Sequence, residues 1–143
     1  HIFSYQKKDF YDDYAHHPTE IKSVLESVKA VYKKRKIISV FQPHRYSRVK
    51  SLKEDLSKSF LDSDEVVLCP VYAAGEKIDK KFNLVNFGQQ ISKNSKKQVV
   101  IVNDKTELLK YFIRNLTDDE IIICMGAGSI SSWLREIAHD LKR

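Results

Sequence analysis

The sequence predicts a doubly wound α/β fold, a mostly parallel sheet with helices on both faces. Two observations carry this. Short β-rich runs that are apolar throughout alternate with segments of helical period, and strands buried on both faces belong to parallel sheets whose right-handed crossovers set helices above and below. The chain has 143 residues, 42% of them hydrophobic and 10% aromatic. That suffices for one buried core and not for two, so residues 1–143 read as a single domain.

The opening residues are the least legible. Ile2 to Tyr5 and Asp9 to Asp13 read as short extra or edge strands, with residues 1–13 carrying the chain in from a preceding domain. A start at His1 rather than Met suggests a piece of something longer. Pro18 suits a first helical turn, and Ile21, Val24, Leu25, Val28 and Tyr32 then keep one helical face. Lys36 to Phe41 is too short for a helix and is bounded by Pro43, so it reads as a buried strand ending at Gln42. Val49, Leu52, Leu56 and Phe60 mark a second helix, Glu65 to Val71 a strand, and Leu84 to Ser92 a third helix that carries Gly88 at some cost in propensity. Val99 to Val102 is the next strand. Asp104 and Glu107 have the spacing of an N-cap and its reciprocal partner, ahead of a face of Leu108, Leu109, Phe112, Ile113 and Leu116. Glu120 to Cys124 reads as the last strand. Ile130, Trp133, Leu134, Ile137, Ala138 and Leu141 form the stripe of a final helix, with Ser129 as its cap.

Composition removes several classes of function. No apolar run approaches the roughly 18 to 20 residues of a membrane helix, and no basic start leads into an apolar signal segment. The expectation is a soluble, cytoplasmic protein with no membrane partner. Lys and Arg number 25 against 19 Asp and Glu, a net charge of +6. Many lysines (Lys7, Lys8, Lys33, Lys34, Lys80, Lys81, Lys96, Lys97) fall at apparent element ends or turns, as a solvated surface does. No basic stripe with interleaved aromatics appears, so the charge points to an anionic small ligand and to no nucleic acid. Cys69 and Cys124 sit inside apolar runs, far apart and outside any CxxC. They read as buried thiols of a reducing compartment, neither metal ligands nor nucleophiles.

Ligands of such sheets bind outside the carboxyl ends of the strands, and the residues there are rich in chemistry. Asp12, Asp13, Tyr14, Ala15, His16, His17 and Pro18 follow the opening segment; Gln42, Pro43, His44, Arg45, Tyr46, Ser47 and Arg48 follow the first clear strand. Tyr72 to Glu76 and Gly126 to Ser129 follow two others. Histidine beside aspartate holds a defined tautomer or a charge near neutral pH. His16 and His17 are adjacent, so in an extended segment they point to opposite sides, and no HxH or HExxH spacing occurs; both facts disfavour a metal site. Arg45 and Arg48 share one side of a helix's first turn, where backbone N–H groups favour anions and guanidinium groups grip carboxylate or phosphate. Gly126 and Gly128 begin a dinucleotide fingerprint that lacks its third glycine, Ser131 standing there, so they read as tight-turn glycines packing strand to helix. No GxxxxGK[ST] or GxSxG segment occurs, so this chain alone cannot hold a nucleoside triphosphate in a P-loop.

The runs Asp12-Asp13-Tyr14-Ala15-His16-His17-Pro18-Thr19-Glu20, Phe41-Gln42-Pro43-His44-Arg45-Tyr46-Ser47-Arg48, Tyr72-Ala73-Ala74-Gly75-Glu76 and Gly126-Ala127-Gly128-Ser129-Ile130 strongly resemble the carboxyl-terminal domain of the Mur ligase family. The resemblance spans essentially the whole chain, in order. It is to the branch that adds L-alanine to UDP-N-acetylmuramate in bacterial peptidoglycan synthesis, and Gln42-Pro43-His44-Arg45 favours that branch over the relative that attaches a tripeptide in muropeptide recycling. What the resemblance implies is a Rossmann-like domain that closes over a central P-loop ATPase domain of the same chain. ATP and Mg2+ would be bound mainly by that central domain, the substrate carboxylate would pass through an acyl phosphate, and the amino group of L-alanine would attack it. Carried onto this sequence, the resemblance implies Asp13 and Tyr14 near the nucleotide. It also implies His16, Arg45 and Arg48 facing alanine and the carboxylate of the sugar nucleotide, with His44 in support. It implies no catalytic residue and no metal ligand within these residues, hence no ligase activity for the isolated domain. Two readings from other classes stand beside it: a stand-alone anion- or nucleotide-binding module, and a metal-dependent hydrolase built on Asp13, His16 and His17.

Overall fold

The computed structural model describes residues 1–117 and 119–142. Among them Phe3–Tyr5 (β1), Lys8–Asp13 (β2), Ile37–Phe41 (β3), Glu65–Leu68 (β4), Gln98–Ile101 (β5) and Ile121–Met125 (β6) form one sheet in the order β1-β2-β6-β3-β4-β5. β1 runs antiparallel to β2, and the other pairings are parallel. The helices are Pro18–Val31 (α1), Tyr46–Ser57 (α2), Leu84–Ser95 (α3), Lys105–Asn115 (α4) and Ile130–Leu141 (α5). This is the expected Rossmann-like α/β architecture, and the two doubtful opening strands form a hairpin on the sheet.

β3 and β6 are buried at every position because successive side chains enter two different cores. Ile38, Val40, Ile122 and Cys124 face α4 and α5, together with Leu108, Phe112, Leu134 and Ile137. Ile37, Phe41, Ile121 and Ile123 face α1, α2 and α3, together with Ile21, Leu25, Leu56, Phe87 and Ile91. β2, β3 and β4 therefore hand the chain to one face, while β5 and β6 hand it to the other. β6 lies between β2 and β3, so neighbouring strands send their loops to opposite faces there and leave a crevice at their carboxyl ends.

Several boundaries differ from expectation. α2 stops at Ser57, and Phe60 reaches the core from the following turn, fully buried. β4 stops at Leu68 instead of continuing to Val71: Cys69 N still donates to Phe41 O at 2.9 Å, but Pro70 has no N–H to carry the ladder further. α3 continues to Ser95 and tolerates Gly88, where an added Cβ would lie 3.3 Å from Ile101 Cδ1. Asp104 caps α4, its Oδ1 accepting from Glu107 N at 2.8 Å, while Glu107 reaches back to Asn103 N at 3.1 Å, one residue short of the cap.

At the amino ends of the strands Arg35 joins three segments. Its Nη1 donates to Asp9 Oδ2 at 2.7 Å, Nε to Asp119 O at 2.8 Å, and Nη2 to Lys7 O at 3.1 Å and Glu120 O at 3.3 Å. Lys8 departs from the solvated-lysine expectation: only 3% exposed, it sends Nζ to Gln6 Oε1 at 3.4 Å across the Tyr5 ring. Cys69 and Cys124 are buried free thiols, and burial pushes both up in pKa, Cys69 to about 12. No helix among the described residues is long and apolar enough to cross a membrane.

Candidate functional site

The first wall of the crevice is the loop after β2. Asp13 Oδ1 accepts from Ala15 N at 2.9 Å, and Asp13 O accepts from Gly126 N at 3.2 Å. The Asx turn bends the chain as the strand ends, so His16 and His17 do not diverge as an extended segment would make them; their ring centroids are 4.8 Å apart. His16 Nδ1 donates to Tyr14 O at 2.9 Å, which leaves Nε2 as its free ring nitrogen. Glu20 accepts from His17 N at 3.0 Å and His16 N at 3.3 Å, and these bonds hold its carboxyl below the usual range. Tyr14, in the same loop, has 72% of its surface exposed.

The second wall is the loop after β3, tied to the loop after β4. Tyr72 N donates to Pro43 O and Arg45 N to Tyr72 O, both at 2.8 Å. The His44 and Tyr72 rings lie 5.7 Å apart at 25°. Arg45 starts α2 with φ +66 and ψ 130, a left-handed conformation that is strained for a residue with a side chain. One turn on, Arg48 Nη1 donates to His44 Nδ1 at 3.3 Å, which requires that nitrogen to be unprotonated. Burial, followed by the charges of His16, Arg48 and Arg45, holds the His44 pKa below its usual value. The His44 ring is 5.5 Å from that of His16. His17, Arg45, Ser47, Arg48, Ser51 and Leu52 line an open cleft of about 360 Å³. Among the described residues, neither Arg45 nor Arg48 has a carboxylate within 4.0 Å.

One expectation is corrected here. The backbone N–H groups at the start of α2 are not an open anion seat, because Glu76 fills it, accepting from Ser47 N at 3.3 Å and Ser47 Oγ at 2.5 Å. These bonds hold the Glu76 carboxyl below the usual range. The guanidinium groups of Arg45 and Arg48 remain for an external anion.

The third wall is the loop after β6. A Cβ at Gly126 would lie 2.9 Å from Gln42 O, and one at Gly128 would lie 2.4 Å from Tyr72 Cγ. Both glycines therefore serve close approach, as expected of tight-turn residues. Ser129 does not cap α5 with its side chain; buried Gln42 does, its Oε1 accepting from Ile130 N at 3.0 Å while its Nε2 donates to Ser129 Oγ at 2.8 Å. Asp12 accepts from Ser131 Oγ through one carboxylate oxygen, and its other oxygen is buried without a partner among the described residues.

His16, His44, Arg45 and Arg48 thus meet on one rim, with Asp13 joined to it through Gly126. Ser47, Gln42, Tyr72 and Glu76 hold that rim in shape. Sequence reasoning gave them no role, although each lies in a run that follows a strand. Chemically, two unneutralised guanidinium groups beside an uncharged imidazole make a receptor for carboxylate or phosphate. Among the described residues no group of three or more His, Cys, Asp or Glu is placed to hold a metal ion.

A family model described as Mur ligase, glutamate ligase domain, matches residues 2–128. The UDP-N-acetylmuramate–L-alanine ligase of Pelagibacter ubique is 48% identical over 136 residues, covering 95% of this chain and 29% of that protein. The ligase of the same name from Fusobacterium nucleatum is 40% identical over 131 residues, 92% of this chain and 27% of that one. The crystal structure of UDP-N-acetylmuramate-alanine ligase from Thermotoga maritima matches 98% of this chain and 28% of its own, with a TM-score of 0.73 at 26% identity. This chain spans less than a third of the length of these relatives.

Proposed function

The chain belongs to the Mur ligase family, and from that membership we propose that it is the carboxyl-terminal, substrate-closing domain of an ATP-dependent cytoplasmic ligase joining L-alanine to UDP-N-acetylmuramate. The observation that carries this is the cleft in which Arg45 and Arg48, without a carboxylate partner among the described residues, stand beside His17, His16 and His44. Arg45 and Arg48 would hold the carboxylates of the sugar nucleotide and of alanine, in the bidentate manner guanidinium groups allow. His16, with Nε2 free, would meet the same reactants. His44 would support Arg48 by accepting a hydrogen bond from its Nη1 at Nδ1, which it can do only while that nitrogen is unprotonated.

Asp13 and the exposed Tyr14 would face the ribose side of the nucleotide. ATP, with Mg2+ screening its phosphates, would supply the phosphoryl group that activates the carboxylate as an acyl phosphate. Both would be bound mainly by a central ATPase domain from which residues 1–13 lead in. Closure of this domain would exclude water from a hydrolysable intermediate. The names of the relatives favour L-alanine over a tripeptide as the amino substrate.

The test is phosphate release by the full-length enzyme with ATP and UDP-N-acetylmuramate, L-alanine being compared with the tripeptide. Arg45→Ala or Arg48→Ala should each lower kcat/KM for alanine about 10- to 100-fold, the worth of a hydrogen bond to a charged group. Parental kinetics in both variants would refute the assigned roles. The 143-residue chain by itself should show no alanine-dependent phosphate release.

A further inference from the structure

The cleft is lined by His17, Arg45, Ser47, Arg48, Ser51 and Leu52, and these side chains differ in what they can do with a proton. Arg45 and Arg48 keep theirs, and Leu52 has no polar atom. Ser47 Oγ donates to Glu76, and Ser51 Oγ donates to Arg48 O at 3.1 Å. Among the described residues that line the cleft, His17 is therefore the one whose lone pair takes up a proton near neutral pH. His16 is not part of this lining, has only 19% of its side chain exposed, and directs Nδ1 at Tyr14 O. His44 Nδ1 accepts from Arg48, a bond that protonation there would break. His17 is also held still. Its N donates to Glu20 Oε1 and its O accepts from Ile21 N, both at 3.0 Å, and Pro18 follows as the first residue of α1 with φ fixed by its ring.

We propose that His17 is the general base that deprotonates the amino nucleophile. This rests on the ligase reading above, in which Arg45 and Arg48 hold carboxylates in this cleft. An amino acid gripped there by its carboxylate brings its α-ammonium along, because a single carbon separates the two groups. An ammonium nitrogen has no lone pair and cannot attack until one proton leaves. His17 takes that proton on a ring nitrogen. The freed amine forms a C–N bond to the carbonyl carbon of the acyl phosphate, the bond from that carbon to the phosphate oxygen breaks, and phosphate departs with the electron pair. The second amine proton passes to the departing phosphate. Arg45 and Arg48 keep the imidazole neutral beforehand, while the ionised Glu20 beside His17 attracts the imidazolium once it forms. No catalytic residue was expected within this chain, and the cleft lining supplies one.

The full-length enzyme tests this with two nucleophiles. Alanine arrives as an ammonium ion and needs a base. Hydroxylamine is unprotonated at neutral pH and needs none, trapping the acyl phosphate as a hydroxamate. His17→Ala should lower kcat for alanine about 100-fold or more, the worth of a general base, with KM for alanine little changed, while ATP-dependent hydroxamate formation stays near the parental rate. His17→Gln, whose amide cannot take up the proton, should behave in the same way. Parental alanine kinetics in both variants overturn the proposal. So does an equal loss with both nucleophiles, which would mark His17 as a residue that holds the fold or binds the sugar nucleotide. A parent enzyme that forms neither the hydroxamate nor the alanine product refutes the ligase reading instead.

Discussion

Arg45 holds a backbone conformation of φ +66 and ψ 130 that costs a residue with a side chain about 1–3 kcal/mol. It is fixed by Arg45 N donating to Tyr72 O at 2.8 Å, and it starts α2 so that Arg45 and Arg48 line one cleft. Arg45→Gly should therefore stabilise the fold by about 1 kcal/mol net of the entropy glycine adds to the unfolded chain, read as a rise in Tm, while weakening anion binding. His44 gives a pH signature. Its folded pKa is below the usual 6.5, so the unfolded chain takes up the proton first as pH falls. Stability from this group is complete above about pH 6.5 and declines as pH drops through the lower folded value. Denaturation midpoints measured against pH should show that slope, and His44→Gln, which keeps an acceptor for Arg48, should remove it. The identities of His16, His44, Arg45 and Arg48 were legible because their chemistry is unusual after a strand. The nearness of His16 to His17 was not, because an Asx turn at Asp13 replaces the extended path that adjacency implies.

At the level of elements, hydrophobic period located the helices, and short apolar runs bounded by turn residues located the strands after the opening hairpin, while their ends were settled by partners elsewhere. Ser129 had the right residue type to cap α5, yet Gln42, distant in sequence, supplies the acceptor for Ile130 N. Gln42→Ala should strand that buried N–H and cost about 1–3 kcal/mol, with amide exchange rising first in the opening turn of α5. Unchanged exchange there would place the cap elsewhere. The start of α2 teaches the same lesson. The spacing of Arg45 and Arg48 identified a helix N-terminus open to anions, but Glu76 arrives from the next loop and occupies it.

At the scale of the whole molecule, Arg35 links the β1–β2 hairpin, the approach to β3 and the start of β6 through four hydrogen bonds, with Asp9 as its nearest ionic partner. Arg35→Ala should lower stability by about 2–3 kcal/mol, since it also takes the guanidinium donors from the carbonyls of Lys7 and Asp119, while Glu120 O keeps Asp9 N at 3.1 Å. A urea midpoint that falls at constant m-value would register this as lost stability and not as a change of compactness. Fold class, element order and the residue types of the rim were determined by the sequence alone, because apolar period and the chemistry that follows each strand are local properties. Strand order, the insertion of β6 between β2 and β3 and the filling of the α2 terminus by Glu76 were decided only by the tertiary structure. Each depends on contacts between residues far apart in the chain, and local pattern carries no information about which distant segment will supply a buried group with its partner.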